Sequence, residues 1–293
     1  MNWRDGYIAV DWGTTNRRAY LVDGDGGVTS NFADDRGLLA VPADAFDAEI
    51  AEIRVRLGDR PMLLAGMVGS KGGWHEVPYV RCPAGPAELA KGILWAEPGR
   101  TGIVPGVAQR DANAPDVMRG EEVQLVGAVA AGLLPKSGLV CHPGTHAKWI
   151  AAQDGAIARF RTTMTGELFA LLRKHSILAG QLEGEVEPGP AFRAGVEEGL
   201  QGANLLSRLF GVRAHHALGE DAPDDAGYTS GLLIGHDLRA GLELHEGGAI
   251  GLVGDLALCR LYGAALALAG HPATQVDGER AFLAGMRILA EMS

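Results

Sequence analysis

The sequence predicts an α/β protein built as two related halves. Three observations predict it. At 293 residues the chain is longer than one core usually organises, so two domains are expected. Apolar runs of strand length alternate with stretches of helical periodicity. The plan of the opening segment also returns near the middle of the chain, as a duplicated unit would.

The opening segment, YIAVDWGTTNRRAYLVD (residues 7–23), reads as an apolar strand, a tight polar turn and a second strand. LVCHPGTHAKWIAAQDG (139–155) has the same plan. Aligning Gly13-Thr14-Thr15 with Gly144-Thr145-His146 brings the strand at Tyr7–Val10 onto Gly138–Cys141, Arg18 onto Trp149 and Ala19 onto Ile150. Asp23-Gly24 and Asp154-Gly155 close the two units as turn signals, one residue out of register. Identity is low, and the competing reading is two unrelated hairpins. A turn needs only one or two polar residues, yet the first carries Asp11, Gly13, Thr14, Thr15 and Asn16. Two Gly-Thr turns, one per half, suggest a nucleotide held between domains, because concave arrays of backbone N–H groups bind phosphate and Gly allows close approach. A carboxylate at Asp11 beside phosphates makes sense only with a cation, and Mg²⁺ characteristically takes one or two carboxylates and keeps waters. A plain Asx-turn at Asp11 is the alternative.

Further along, PMLLAGMVGSKGGW (61–74) is a short buried strand followed by a loop containing Gly66, Gly69, Gly72 and Gly73, suited to form a substrate wall that includes Gly69, Ser70 and Trp74. It does not match the P-loop pattern, and no GxGxxG follows a strand. The polar loop 109–116, with Pro115, is the expected interdomain crossing, giving domains 1–116 and 117–293. Residues 120–134 then read as a helix. At about 100° per residue, Glu122 shares a face with Leu125, Val126, Val129 and Leu133, while Glu121 borders it. A carboxylate on an apolar face is costly unless it is paired or faces a cleft; a first-turn Glu complementing the helix dipole is the alternative, and it suits Glu121 better.

FRTTMTGELFALLRKHS (160–176) reads as strand, Thr-rich turn and amphipathic helix. Thr165 is the expected N-cap and Glu167 a first-turn acid; both are also kept as candidates for substrate contact. Arg161 is a candidate anion contact, with surface solvation as its alternative. AFRAGVEEGL, GYTSGLLIGHDL and LCRLYGAALALAG read as helices whose small residues allow close packing. AIGLVGD (249–255) is a strand entering a Gly turn, and AFLAGMRILAEM is a terminal amphipathic helix, a candidate to pack back on the first domain over about 279–292. His142 and His146 stand four apart, but Pro143-Gly144 between them breaks any helix, so zinc has little support.

The bulk numbers narrow the function. Hydrophobic residues at 47% and charged residues at 21% fit a folded chain. A formal net charge of −10 argues against a nucleic-acid partner. Cys82, Cys141 and Cys259 are dispersed and odd in number, which fits a reducing compartment. No signal-peptide core or membrane-length apolar run is visible; 125–134 is too short. The expectation is a soluble cytoplasmic protein, with no membrane partner and with a homo-oligomer left open.

The combination AVDWGTTNRRAYL, AGMVGSKGGW, VMRGEEVQLVGA, HPGTHAKW, FRTTMTGEL and SGLLIG resembles the 2-dehydro-3-deoxygalactonokinase family of the actin-like ATPase superfamily, over about residues 7–289. The resemblance implies two RNase-H-like domains around an ATP cleft, and transfer of the γ-phosphate to the 6-hydroxyl of 2-dehydro-3-deoxy-D-galactonate. By position, Asp11, Gly13, Thr14 and Thr15 resemble the first phosphate motif, with Asn16 beside it and Asp11 as the Mg²⁺ ligand. Gly144, Thr145 and His146 resemble the second, which carries His142 where the superfamily has an Asp. Gly254 stands where the adenosine motif is expected, with one Gly where relatives often have two. Phosphoryl transfer needs charge neutralisation and an oriented nucleophile. Glu122, then Glu121, then Asp116 are the candidates to accept the hydroxyl proton. Arg119 or Arg161 suits the substrate carboxylate, and Lys148 suits phosphate. A phosphohydrolase of the same fold, a nucleotide-gated binding protein and a kinase for the epimeric gluconate acid are the competing functions.

Overall fold

A computed structural model describes residues 3–111, 114–220 and 224–293. The chain divides into two compact units: Met1–Lys136 with Gln153–Arg159 and Gly278–Ser293, and Ser137–Ala152 with Phe160–Asp277.

The first unit runs β1 (Tyr7–Trp12), β2 (Arg17–Val22), β3 (Val28–Asp34), α1 (Phe46–Leu57), β4 (Met62–Gly66), β5 (Val80–Arg81), α2 (Pro86–Lys91), β6 (Leu94–Glu97), β7 (Thr101–Ile103), β8 (Val107–Arg110), β9 (Pro115–Met118) and α3 (Glu121–Ala130). Its main sheet has the order β3-β2-β1-β4-β7-β6. β1 and β2 form an antiparallel hairpin, while β4 lies parallel to β1 and β7 parallel to β4. β1 and β4 read as near-continuous apolar runs because they are central strands, buried almost throughout. Trp12, Ile8 and Val10 pack with Phe46, Ile50, Ile53 and Leu57 of α1.

The second unit runs β10 (Gly138–His142), β11 (Ala147–Gln153), β12 (Ala156–Thr163, whose residues up to Arg159 count with the first unit), α4 (Thr165–His175), α5 (Pro190–Leu200), α6 (Leu205–Leu218), α7 (Asp225–Leu242), β13 (Ile250–Gly254), α8 (Leu256–Leu268) and β14 (Ala273–Asp277); α9 (Gly278–Met292) returns to the first unit. Its sheet has the order β12-β11-β10-β13-β14, with β10 and β11 antiparallel and β10, β13 and β14 parallel. Strand for strand this repeats β3-β2-β1-β4-β7, so the two Gly-Thr turns occupy the same place in equivalent sheets. Trp149, Phe192, Val196, Leu238, Leu252 and Tyr262 form its core. α5 and α7 meet backbone to backbone: a Cβ on Gly231 would fall 2.0 Å from the Phe192 carbonyl oxygen, and one on Gly195 would fall 2.1 Å from that of Tyr228.

The crossing lies elsewhere than expected. Most of 109–116 belongs to the antiparallel β8–β9 pair, in a small β5-β8-β9 sheet; residues 112–113 of that loop lie outside the described residues. The chain leaves the first unit after Lys136 instead of Asp116. The reason is α3, which α9 grips at glycines: a Cβ on Gly127 would stand 1.9 Å from the Ala281 carbonyl oxygen, and one on Gly285 2.1 Å from that of Val123. No helix among the described residues is long and apolar enough to cross a membrane.

Candidate active site

In the first unit the candidate site residues gather where β1 and β4 end and α3 begins. The turn after β1 closes with Gly13 N–H donating to the Asn16 carbonyl at 2.9 Å. Leu38 N–H and Leu39 N–H donate to the carbonyls of Gly13 and Thr14 at 3.0 and 3.1 Å. Gly37 makes this approach feasible, since a Cβ there would lie 2.3 Å from Thr15 C. Thr14, Thr15 and Asn16 are left exposed, with Asn16 donating to Thr15 Oγ1 at 3.1 Å.

Just after the turn, Arg17 is wholly buried and paired with Asp34 and Glu49, each at 2.7 Å, and Arg36 also pairs with Glu49. Its guanidinium lies 4.9 Å from the Trp12 ring. Burial alone would raise Glu49 and Asp34; the arginines outweigh it, and both carboxyls sit below their ordinary range. This cluster ties the turn's base to α1 and β3. The sequence reading missed it.

Asp11 is the last-but-one residue of β1 and keeps 26% of its side chain exposed. Burial pushes its carboxyl up to about 6; Arg18, its cross-strand neighbour at 3.7 Å, pulls down, and Glu121 adds to the rise. Two neighbouring carboxylates, one of them partly desolvated, gain from a cation. The donor set at this end of β1 therefore fits Mg²⁺ as an oxygen-ligated ion with one protein carboxylate. No group of three or more His, Cys, Asp or Glu that could hold a metal occurs among the described residues.

The two acids of α3 sit in different surroundings. Glu122 does lie on the apolar face, but it is wholly buried, and Gly120 N–H donates to both its oxygens at 2.9 and 2.7 Å. Burial pushes it up to about 8; the Glu121 charge adds to this, and the Gly120 bond holds it back. The Glu122 carboxyl is thus enclosed at the start of α3, with its charged form disfavoured by burial. Glu121 is half-buried, accepts from Arg119 N–H at 3.1 Å and acts electrostatically on Asp11. Gly120, with φ +113°, lets α3 begin here: a Cβ on it would be 3.6 Å from Gly66 Cα, at the end of β4. Asp116 is removed from this cluster, in β9, with Oδ1 accepting from Val117 N–H at 2.7 Å and its charge acting on Cys82.

The glycine-rich segment after β4 is more structural than expected. Ser70 Oγ donates to the Met67 carbonyl at 2.7 Å, and Trp74 Nε1 donates to Asp47 of α1 at 2.8 Å. Gly69 is buried against Arg119.

In the second unit, His146 is exposed and bonded to Glu167, and Glu167 N–H donates to the Thr145 carbonyl at 2.8 Å. α4 thus starts against the Gly144–His146 turn. Gly166 permits this, since a Cβ there would stand 2.3 Å from the Gly144 carbonyl oxygen. Lys148 is buried, with Nζ 3.5 Å from the His146 carbonyl oxygen, and Gly254, with φ +139°, faces His142.

Thr165 is the first helical residue rather than the cap. Its hydroxyl goes to Asp237, which also receives Trp149 Nε1 and Thr163 Oγ1, both at 2.7 Å, and the Tyr262 hydroxyl. Asp237 is buried. It locks β11, β12, α4 and α8 around the second turn, and the sequence reading missed it. Arg161 donates to the Ala240 carbonyl and to Glu243, at 2.5 and 2.7 Å, so its guanidinium is held at the end of α7.

The model of the 2-keto-3-deoxy-galactonokinase family matches residues 11–289. The chain is 38% identical, over 289 residues, to the 2-dehydro-3-deoxygalactonokinase of Escherichia coli (strain K12), with 97% of each chain covered. A solved structure from Sinorhizobium meliloti, described under the same kinase name, matches with a TM-score of 0.87 and 36% identity over 97% of this chain and 98% of that one. The activator of 2-hydroxyisocaproyl-CoA dehydratase from Clostridium difficile, solved with bound ADPNP, matches at a TM-score of 0.51 and 9% identity over 98% and 95%. That last likeness is one of fold, the two-domain α/β fold of actin-like ATPases.

Proposed function

This chain belongs to the 2-keto-3-deoxy-galactonokinase family, and from that premise we propose that it transfers the γ-phosphoryl group of ATP to the 6-hydroxyl of 2-dehydro-3-deoxy-D-galactonate. The observation that carries the site reading is the Asp11–Glu121 pair at the foot of an exposed Gly-Thr turn, with Asp11 held up to about 6. We assign both turns to phosphate: Gly13, Thr14, Thr15 and Asn16 in the first unit, and Gly144, Thr145 and His146 in the second, with Lys148 adding a buried positive charge beside the latter. Gly254 would give the adenosine close access to backbone.

Asp11 would hold Mg²⁺, which when bound neutralises phosphate charge. Glu121 would orient the 6-hydroxyl and take its proton, a role for which partial exposure at a helix start suits it. Glu122 supports the start of α3 from inside. Positioning and charge neutralisation supply most of the rate in phosphoryl transfer, and the Arg17 and Asp237 clusters supply the rigidity that positioning requires. A cytoplasmic setting fits a reaction that consumes ATP.

The test is ADP release with a panel of sugar acids. ADP formed only with the galactonate acid supports the reading. A preference for the gluconate epimer, or release of inorganic phosphate without any acid, overturns it.

A further inference from the structure

Arg119 stands immediately before α3, and its surroundings differ from those of the other arginines. Nη2 donates to the Val77 carbonyl at 2.8 Å, and the guanidinium lies 4.3 Å from the Tyr79 ring. Nε and Nη1 are buried and have no acceptor. Arg54 and Arg100 also leave Nε without an acceptor, but each has a carboxylate partner, Glu97 and Asp59 respectively. No ion pair of Arg119 with a carboxylate occurs among the described residues: Glu121 accepts from its backbone N–H, and Glu122, on which its charge acts, bonds Gly120 N–H and is pushed up to about 8. The residue is thus a permanent cation, partly stripped of water, with two of its three nitrogens unsatisfied. Such a group is retained against its cost only where something completes it.

Its position says what completes it. Arg119 N–H donates to Glu121, the group assigned to the hydroxyl. Gly69, in the glycine-rich segment after β4, makes room for the guanidinium, since a Cβ there would stand 2.7 Å from Nη1. Gly69 and Val77 thus bracket the guanidinium, and Val77 N–H donates to the Gly69 carbonyl at 3.0 Å, so the segment between them holds Arg119 beside the start of α3. A planar guanidinium is matched to a carboxylate.

We infer that Arg119 is the residue that selects a sugar acid over a neutral sugar, by taking the substrate carboxylate on its unsatisfied nitrogens. This rests on the kinase reading above.

The experiment compares wild type, Arg119→Gln and Arg119→Lys on two acceptors: 2-dehydro-3-deoxy-D-galactonate, and the same sugar with its carboxylate reduced to a hydroxymethyl group. Thermal unfolding establishes that the variants fold. A charge-assisted hydrogen bond is worth roughly a 10- to 100-fold change in binding. Arg119→Gln should therefore raise KM for the acid about 10- to 100-fold with kcat within about 3-fold, and leave kcat/KM for the neutral analogue within about 3-fold. Arg119→Lys, keeping the charge but not the fork, should fall in between. A folded Arg119→Gln with unchanged KM for the acid, or with equal losses on both acceptors, overturns the inference. Calorimetric titration of the acid without ATP separates the two claims. Arg119-dependent binding without phosphate transfer refutes the kinase reading and spares this one; phosphate transfer with Arg119-independent binding does the reverse.

Discussion

Replacing Glu122 by Gln should make the protein more stable, increasingly so as pH rises. Gln keeps the shape and one acceptor for Gly120 N–H, and removes the ionisable proton. The Glu122 carboxyl stands at about 8 in the folded chain against an ordinary 4.5. A folded-state value above the unfolded one stabilises fully below about pH 4.5, and that contribution is lost as pH rises through about 8. At pH 7 the unfolded chain has released this proton and the folded chain still holds it. At about 1.4 kcal/mol per pKa unit, wild type gives up roughly 3 kcal/mol there that Glu122→Gln does not. Glu122 is wholly buried, so solvent screening does not discount this figure. Urea unfolding followed by tryptophan fluorescence from pH 5 to 8.5 reads it directly. The stability difference, variant minus wild type, should grow from under about 1 kcal/mol at pH 5 to about 3 kcal/mol at pH 7 and level off above pH 8. A difference independent of pH, or one that shrinks as pH rises, would falsify the assignment of Glu122 as an enclosed, protonated carboxyl.

Four further outcomes are expected. Asp11→Asn should lower turnover by at least about 100-fold while raising stability at pH 7 by roughly 3 kcal/mol; near-normal turnover at limiting Mg²⁺ would remove the metal role. Glu121→Gln should cut kcat by about 10²–10⁴-fold, whereas Glu122→Gln should stay within about 10-fold of wild type; steady-state kinetics that reverse this order return Glu122 to the role of base. Arg17→Met leaves Asp34 and Glu49 without their buried partner and should cost about 3–5 kcal/mol in chemical unfolding, a loss that shrinks as the medium is acidified and the two carboxyls protonate; a cost below about 1 kcal/mol would show the cluster to be solvated. Gly166→Ala drives a methyl into the Gly144 carbonyl and should raise KM for ATP about 10-fold, the scale of a 1–3 kcal/mol overpacking cost; an unchanged KM would detach the second turn from the nucleotide.

What the sequence disclosed followed local chemistry. β1, β2, β10 and β11 were legible because apolar runs flank a Gly-Thr turn, and the shared plan of the two hairpins proved to be a shared sheet order. The face of Glu122 was legible from helical periodicity, but its partner was not, because Gly120 N–H reaches back from the cap. Asp237 could have been found by the same periodicity: it lies between Leu233 and Gly241 on the buried side of α7, and a carboxylate there requires donors. Arg17 was legible only as one of two arginines; the two-residue period of β2, in phase with buried Ala19, points it inward and Arg18 outward. Thr165 looked like a cap because caps are local, and a long-range acceptor outbid that role. The boundary at Lys136 depends on α3 meeting α9, a contact of more than 150 residues' separation that no local signal announces.

The central claim is that this chain phosphorylates a sugar acid at its terminal hydroxyl. Phosphorus–proton NMR on a mixture of wild-type protein, Mg²⁺-ATP and 2-dehydro-3-deoxy-D-galactonate tests it most directly. The expected spectrum shows ADP and, in equal amount, a phosphomonoester whose phosphorus couples to the C6 protons, with Glu121→Gln forming it far more slowly. Inorganic phosphate as the only new phosphorus signal, a phosphoester at another carbon, or unchanged ATP with folded protein would contradict the account.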